Sequence, residues 1–85
     1  MSKTIKIKIL PHWFEAVIAG YKKAELRFND RDYQVGDTLV MREYDGGERR
    51  HTGRSVHVKV THVADVGNLL HNYVLVSFDL LLDEH

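Results

Sequence analysis

The sequence predicts an α+β domain that is mainly β: a small β-barrel of five or six strands with one short N-terminal helix. Several short stretches alternate between apolar and polar residues, which is the pattern of a strand with one buried face. Turn-forming residues separate these stretches at short intervals, and apolar residues recur at helical spacing in one early segment. A chain of 85 residues is expected to fold as a single domain, residues 1–85.

The first strand and the helix follow from the N-terminal pattern. Residues 4–10 carry lysines on one face and isoleucines on the other, which predicts a half-buried strand. Pro11 suits the first turn of a helix, and Gly20 suits its C-terminal end. The helix between them carries an apolar stripe, which we interpret as packing against the barrel: Trp13, Phe14, Val17 and Ile18.

Four further strands are predicted downstream. Residues 23–28 alternate, with one apolar set (Ala24, Leu26, Phe28) and one charged set (Lys23, Glu25, Arg27). A polar loop follows, and strands are then expected over residues 38–44, 55–60 and 73–82. The last strand is apolar at nearly every position and is therefore expected in the interior of the sheet. The alternation breaks at residues 62–63, which indicates a bulge or a strand end.

The composition narrows the class of protein. The chain has no cysteine, which excludes disulfides and thiolate metal sites, and its six histidines lack metal-ligand spacing. We therefore predict no metal and no cofactor. No apolar run approaches the roughly 20 residues of a membrane helix, and the lysine-rich N-terminus is not a signal peptide. A cytoplasmic protein with no membrane partner is the expectation.

Positive charge is concentrated in the first three-quarters of the chain. Residues 1–64 hold all 12 lysines and arginines, whereas residues 65–85 hold four acids and no lysine or arginine. This asymmetry favours an anionic partner, although an ordinary solvated surface explains it equally well. The densest mixture of both signs lies in residues 20–37, GYKKAELRFNDRDYQVGD. A strand and loop that served only as scaffold would not need this much charge.

Residues 20–27, GYKKAELR, resemble the G-x-K-x-x-E-x-R signature of ASCH domains (activating signal cointegrator homology), which belong to the PUA-like group. Four later segments are similar to a small bacterial and phage subfamily of unknown function in that group: residues 29–32, 35–37, 42–44 and 52–54. The similarity extends over nearly the whole chain. It implies a PUA-like β-barrel with the helix beside a cleft, and the signature residues would line that cleft.

PUA-like domains commonly bind RNA, so the resemblance implies an RNA- or nucleotide-binding module. An arginine suits phosphate or a base edge, a lysine adds a mobile charge, and a glutamate can accept from an exocyclic amine. The candidate nucleic-acid-binding residues are Lys22, Lys23, Glu25, Arg27, Arg31, Arg49 and Arg50. Ordinary explanations compete with this hypothesis: a partly exposed ion pair in the signature, a self-bonded turn at residues 29–32, and a solvated hairpin at residues 49–54.

Two other functions stay open. Some ASCH relatives are hydrolases, which deacylate modified cytidine nucleosides or resemble ribonucleases. The amidohydrolase type uses a lysine, a threonine three residues later and a distant glutamate, which makes Lys22 and Glu25 the catalytic candidates here. Glu25 stands at the threonine position, and the acids that could replace the distant glutamate are Asp65, Asp79 and Glu84. The third possibility is an accessory domain that binds a protein partner through an unpaired strand.

Overall fold

The computed structural model describes residues 2–81. It contains five strands and one helix in the order β1 (Thr4–Ile9), α1 (Pro11–Ile18), β2 (Ala24–Phe28), β3 (Thr38–Asp45), β4 (Arg50–Asp65) and β5 (Tyr73–Leu80). Strands make up 54% of the described residues, which confirms the mainly β prediction. In this part of the chain, no helix combines the length and the apolar content needed to cross a membrane.

The five strands form one sheet that curls into about half of a barrel. Their order across the sheet is β1-β3-β4-β5-β2. β1 pairs with β3 in parallel, and the other three pairings are antiparallel. β5 lies between β4 and β2, as its apolar sequence predicted. β1 and β2 are the two edge strands, and α1 connects them along the chain.

The concave inner face of the sheet carries the hydrophobic core. Each strand except β2 contributes alternate apolar residues to it, as the period of a strand requires. These buried residues are Ile5, Ile7, Ile9, Leu39, Met41, Val58, Val60, Val74, Val76 and Phe78. The helix adds Phe14 and Val17, and the loop between β2 and β3 adds Tyr33. The helix, which is only eight residues long, is therefore held by packing rather than by its own propensity.

β4 is longer than the sequence indicated. The predicted strand over residues 55–60 extends at both ends, to Arg50 and Asp65, and continues through Gly53 at φ +95°. β4 pairs with β3 over its first part and with β5 over its second part. Its register with β5 shifts between Val60 and His62, which confirms the irregularity predicted near residues 62–63. Such bulges bend a strand and increase its twist, so one long strand can serve both halves of a curled sheet.

Asp37 is fully buried and ties the N-terminus to the loop before β3. Its Oδ1 accepts the backbone N–H of Lys3 at 3.0 Å, and its Oδ2 accepts the Lys3 ammonium at 2.7 Å and the Gln34 N–H at 2.9 Å. Burial acts to raise the pKa of Asp37, but these bonds from Lys3 and Gln34 outweigh it and hold the pKa below its ordinary value. Both oxygens of the carboxylate thus accept hydrogen bonds, which a buried charge requires.

Glu43 is also buried, and its carboxylate helps to fix the helix on the sheet. The Arg54 guanidinium donates two hydrogen bonds to it, both at 2.9 Å, and the Thr52 hydroxyl donates a third at 2.6 Å. Arg54 also contacts Glu15 of α1 and lies 4.7 Å from the centre of the Phe14 ring. The bonds from Arg54 and Thr52 outweigh burial and lower the pKa of Glu43 to about 2.

Replacing Asp37 with asparagine should lower the free energy of unfolding by about 1–3 kcal/mol, because a neutral amide satisfies the ammonium and the two N–H donors less well. Asp30→Asn is the matched control, since it makes the same chemical change at an exposed position of the same loop. Urea denaturation of the two variants and the wild type measures the difference. Equal stability of the two variants would contradict the role assigned to Asp37.

The contribution of Glu43 to stability should depend on pH. Its pKa is about 2 in the folded protein against an ordinary value of 4.5, so its stabilisation is complete above pH 4.5 and is lost as the pH falls towards 2. Glu43→Gln has no charge to titrate at this position. The difference in unfolding free energy between wild type and Glu43→Gln should therefore be constant above pH 4.5 and shrink below it. Urea titrations across this range measure it, and a difference that does not change with pH would refute the assignment.

Candidate functional site

The charged residues of β2 face the inside of the half-barrel. Glu25 pairs with Val76, and Arg27 pairs with Val74; both valines are buried in the core. Directly opposite residues of an antiparallel pair project to the same side of the sheet. Leu26 and Phe28 consequently lie on the outer face, where they are 48% and 49% exposed. The predicted alternation is present, but β2 turns its charged side inwards and its apolar side to solvent.

Three residues of the signature form one connected charged cluster, which we call the β2 cluster: Lys22, Glu25 and Arg27. Lys22 Nζ lies 3.8 Å from Glu25 Oε1, and an Arg27 guanidinium nitrogen lies 3.4 Å from Glu25 Oε2. Their side chains are 19%, 13% and 30% exposed, respectively. The ion pair expected from the sequence as the alternative to nucleic-acid binding is therefore present. Its side chains are largely withdrawn from solvent.

Lys22 reaches Glu25 because it belongs to the turn before β2. Its backbone N–H donates to the Ala16 carbonyl at 3.0 Å, as does the N–H of Tyr21 at 2.9 Å. These bonds fix residues 21–22 at the end of α1, and β2 begins only at Ala24. The alternation alone would place Lys22 on the other side of the strand. Its position in the turn lets its side chain extend to the carboxylate of Glu25.

Trp13 adds an aromatic surface to the β2 cluster. Lys22 Nζ lies 4.9 Å from the centre of its ring, and the residue is 45% exposed. Of the two adjacent aromatic residues interpreted as packing, Phe14 is buried as predicted, whereas Trp13 is only partly covered. Exposed aromatic rings beside cations are the surfaces on which single-stranded nucleic acids stack their bases.

A cavity of about 460 Å³ is lined in part by Val74, the strand partner of Arg27 in the β2 cluster. Its lining includes Asp65 and Val74 from adjacent strands, and Tyr33 and Asn72 from two loops. Asp65 pairs with Val74, which pairs on its other side with Arg27. The three residues therefore form a row across β4, β5 and β2 on the inner face, and the Cα atoms of Asp65 and Arg27 are about 10 Å apart. The cavity is thus adjacent to the β2 cluster at its Arg27 end.

The loops at the cavity are held by specific hydrogen bonds. The Asn29 N–H donates to the Asn72 carbonyl at 2.7 Å, which joins the loop after β2 to the loop before β5. The Gly67 N–H donates to Asp65 Oδ1 at 2.8 Å. Tyr33 is 2% exposed, and its hydroxyl has no hydrogen-bond partner among residues 2–81. Sequence reasoning missed Tyr33, Gly67 and Asn72, because they come from separate segments and match no motif.

The other predicted nucleic-acid-binding residues make their contacts outside the β2 cluster. Lys23 is exposed, and its carbonyl accepts the Phe78 N–H at 2.9 Å. Arg31 is exposed on the loop after β2 and lies 3.4 Å from the Lys6 carbonyl of β1. Arg49 and Arg50 lie at the hairpin between β3 and β4, at the opposite end of β4 from Asp65. Arg50 pairs there with Glu48 at 3.0 Å.

The acids considered for a hydrolase occupy three different places. Asp65 lines the cavity on the inner face. Asp79 is exposed and pairs with Lys59 across β4 and β5, on the outer face of the sheet. Glu84 lies outside the described residues. Within residues 2–81, no three histidine, aspartate or glutamate side chains are grouped so that they could hold a metal ion.

One known protein shares much of this sequence, and one solved structure shares the fold. A protein of Escherichia phage P2, described as an uncharacterized 12.9 kDa protein in GpA 3'region, is 40% identical over 76 residues, which are 89% of this chain and 68% of the phage protein. The crystal structure of hypothetical protein PH0355 shares the fold with a TM-score of 0.58 at 18% identity, over 93% of this chain and 99% of that chain. The family described as Domain of unknown function (DUF3850) matches residues 4–78, which include the signature and nearly all of the sheet. The chain therefore belongs to the DUF3850 family.

Proposed function

We propose that this protein is a binding module for a nucleotide, either free or as one unit of single-stranded RNA, and that the ligand binds at the β2 cluster. The observation that carries the proposal is the direction of β2, because Glu25 and Arg27 face the core side while Leu26 and Phe28 face solvent. A strand that only supported the barrel would bury the opposite set. Departures of this kind from the local pattern are expected at functional sites.

The electrostatics of the β2 cluster suit a phosphate. Two cations share one carboxylate, so the cluster retains a positive charge. Arg27 gives Glu25 one hydrogen bond, and a guanidinium has five N–H donors, so others are available for a phosphate or a base edge. Because the cluster is partly buried, its charges are screened less than those of an exposed ion pair. Trp13, beside Lys22, offers a face on which a base can stack.

The ASCH-like signature supports the same site. The lysine, glutamate and arginine of G-x-K-x-x-E-x-R are the three side chains that meet in the β2 cluster. If this chain is an ASCH domain of the PUA-like group, these residues line its ligand cleft, and RNA is the ligand class that the group commonly binds. The half-barrel with a helix beside the cluster is compatible with that assignment.

Lys22→Ala combined with Arg27→Ala should weaken binding to a short single-stranded RNA. The slope of log affinity against log salt should fall by about 1.4, because each phosphate contact in a single strand contributes about 0.7. Fluorescence anisotropy of a labelled RNA at several salt concentrations measures both quantities. Thermal unfolding of the variant checks that the fold is intact.

The matched control is Arg49→Ala combined with Arg50→Ala, which removes the same charge from the hairpin at the other end of β4. We expect a smaller loss of affinity from this pair than from the pair in the β2 cluster. An equal loss would show that binding depends on overall positive charge and would contradict the assigned site. Unchanged affinity in the Lys22 and Arg27 variant would also contradict it.

The hydrolase alternative is tested with N4-acetylcytidine. The signature supplies no serine, threonine or cysteine nucleophile, and Glu25 stands at the position of the threonine in the amidohydrolase type. We therefore expect no deacetylation by chromatographic assay, even at high protein concentration. Turnover that disappears in Lys22→Ala would replace the binding module with an amidohydrolase that uses the same cluster.

A further inference from the structure

We infer that the cavity beside the β2 cluster is a pocket for a nucleobase that carries an exocyclic amino group, and that Asp65 recognises this group. The inference rests on the proposed function, because it assigns the base-binding part of the same ligand site. Four features support it: the chemistry of the lining, the position of Asp65, the hydroxyl of Tyr33, which is unpaired within residues 2–81, and the strand register that links Asp65 to Arg27.

The lining of the cavity suits a ligand that donates hydrogen bonds. It contains two carboxylates, three side-chain amides and a histidine, and among the described residues no lysine or arginine contributes to it. A carboxylate accepts hydrogen bonds and repels a phosphate. The phosphate and the base of one nucleotide would therefore occupy different places, the phosphate at the β2 cluster and the base in the cavity. The volume of about 460 Å³ is within the usual range for small-molecule sites.

The carboxylate of Asp65 is held in position for recognition. The Gly67 N–H donates to its Oδ1 at 2.8 Å. A side chain at residue 67 would place a Cβ atom 3.0 Å from the same oxygen, so glycine permits the close approach. This bond to the turn engages one oxygen of Asp65 and leaves the other as an acceptor for an amino group. A fixed acceptor discriminates between bases better than a mobile one, because less side-chain freedom is lost on binding.

Tyr33 supplies an independent indication of a ligand. Its side chain is buried and lines the cavity, and its hydroxyl has no partner among residues 2–81. Buried hydroxyl groups are nearly always hydrogen-bonded, so an unpaired one at a cavity indicates a missing partner. In cytosine and adenine an acceptor ring nitrogen lies next to the amino group. The hydroxyl oxygen is closed off from solvent in this structure, so binding requires a small movement of the Tyr33 ring that lets the hydroxyl donate to this nitrogen while Asp65 accepts from the amine.

The spacing of the inner-face row fits one nucleotide. Asp65 and Arg27 are two strand positions apart, with Val74 between them; two strand spacings correspond to about 10 Å between Cα atoms. A base at Asp65 and a sugar over Val74 would direct the phosphate towards Arg27. The inference therefore places base, sugar and phosphate along three adjacent strands.

Calorimetric titration with two matched pairs of nucleotides tests this inference. Cytidine and uridine monophosphates differ mainly in the amino group at C4, and adenosine and inosine monophosphates differ in the amino group at C6. The wild type should bind the amino member about tenfold more tightly in at least one pair. Asp65→Asn should abolish that preference, whereas Asp79→Asn, the same change on the outer face, should preserve it. Tyr33→Phe should weaken binding of the preferred nucleotide without unfolding the protein.

Ribose 5-phosphate, which has no base, separates this inference from the proposed function. It should bind more weakly than the preferred nucleotide, lose affinity in the Lys22→Ala and Arg27→Ala variant, and be unaffected by Asp65→Asn. Equal affinities within both nucleotide pairs, or a preference that survives Asp65→Asn, would overturn the base pocket while leaving a phosphate site at the β2 cluster. If neither nucleotides nor RNA bind the wild type, the proposed function fails and the pocket fails with it.

Discussion

The irregularity of β4 between Val60 and His62 determines which residues in the last part of this strand face the inside of the half-barrel. Before it, Val58 and Val60 face inwards; after it, Val63 and Asp65 are opposite the inward-facing Val76 and Val74. A regular strand would have kept the even-numbered residues inside and would have placed Asp65 on the outer face. One extra residue therefore bends the sheet and also brings a carboxylate into the row that contains Arg27.

The protein stabilises its inward-facing charges in two different ways. Asp37 and Glu43 are buried and fully engaged, the first with Lys3 and Gln34 and the second with Arg54 and Thr52. Each fixes a peripheral segment, since Asp37 holds the N-terminus and Glu43 fixes α1 through Arg54. The β2 cluster is different, because its two contacts are longer, at 3.8 and 3.4 Å, and its side chains remain partly exposed. The first two arrangements are structural ion pairs, whereas the third retains hydrogen-bonding capacity for a ligand.

Much of the fold could be predicted from the sequence, because alternation and turn residues are local signals. The β1 strand, the early helix, the loop after β2 and the irregularity near residues 62–63 all followed from them. The full length of β4 did not, because Gly53 indicates a bend locally. The ladder between β3 and β4 is irregular at this point, but His51 and Ser55 on either side both pair with β3 and keep the strand in the sheet. The direction of β2 was also not predictable, since alternation ordinarily indicates that the apolar set is buried, whereas β2 exposes Leu26 and Phe28.

The same distinction between local signals and long-range contacts applies to the candidate site. Lys22, Glu25 and Arg27 are close in sequence, so their meeting could be anticipated from the signature. Tyr33, Asp65 and Asn72 come together only through strand register and loop contacts, and the partners of Glu43 are likewise distant in the chain. Arg31, Arg49 and Arg50 had the right chemistry for an anion site, but charge patterning carries no information about which end of the sheet a residue occupies.

The outward-facing side of β2 has a consequence for the behaviour of the protein at high concentration. Leu26 and Phe28 are about half exposed on an edge strand, and Leu75 of the adjacent strand lies beside them on the same face. Apolar side chains along an unpaired strand edge favour self-association, which natural proteins usually suppress with charge at such edges. Here the charges of the strand point inwards, so we expect the arrangement that creates the β2 cluster also to favour self-association through this face.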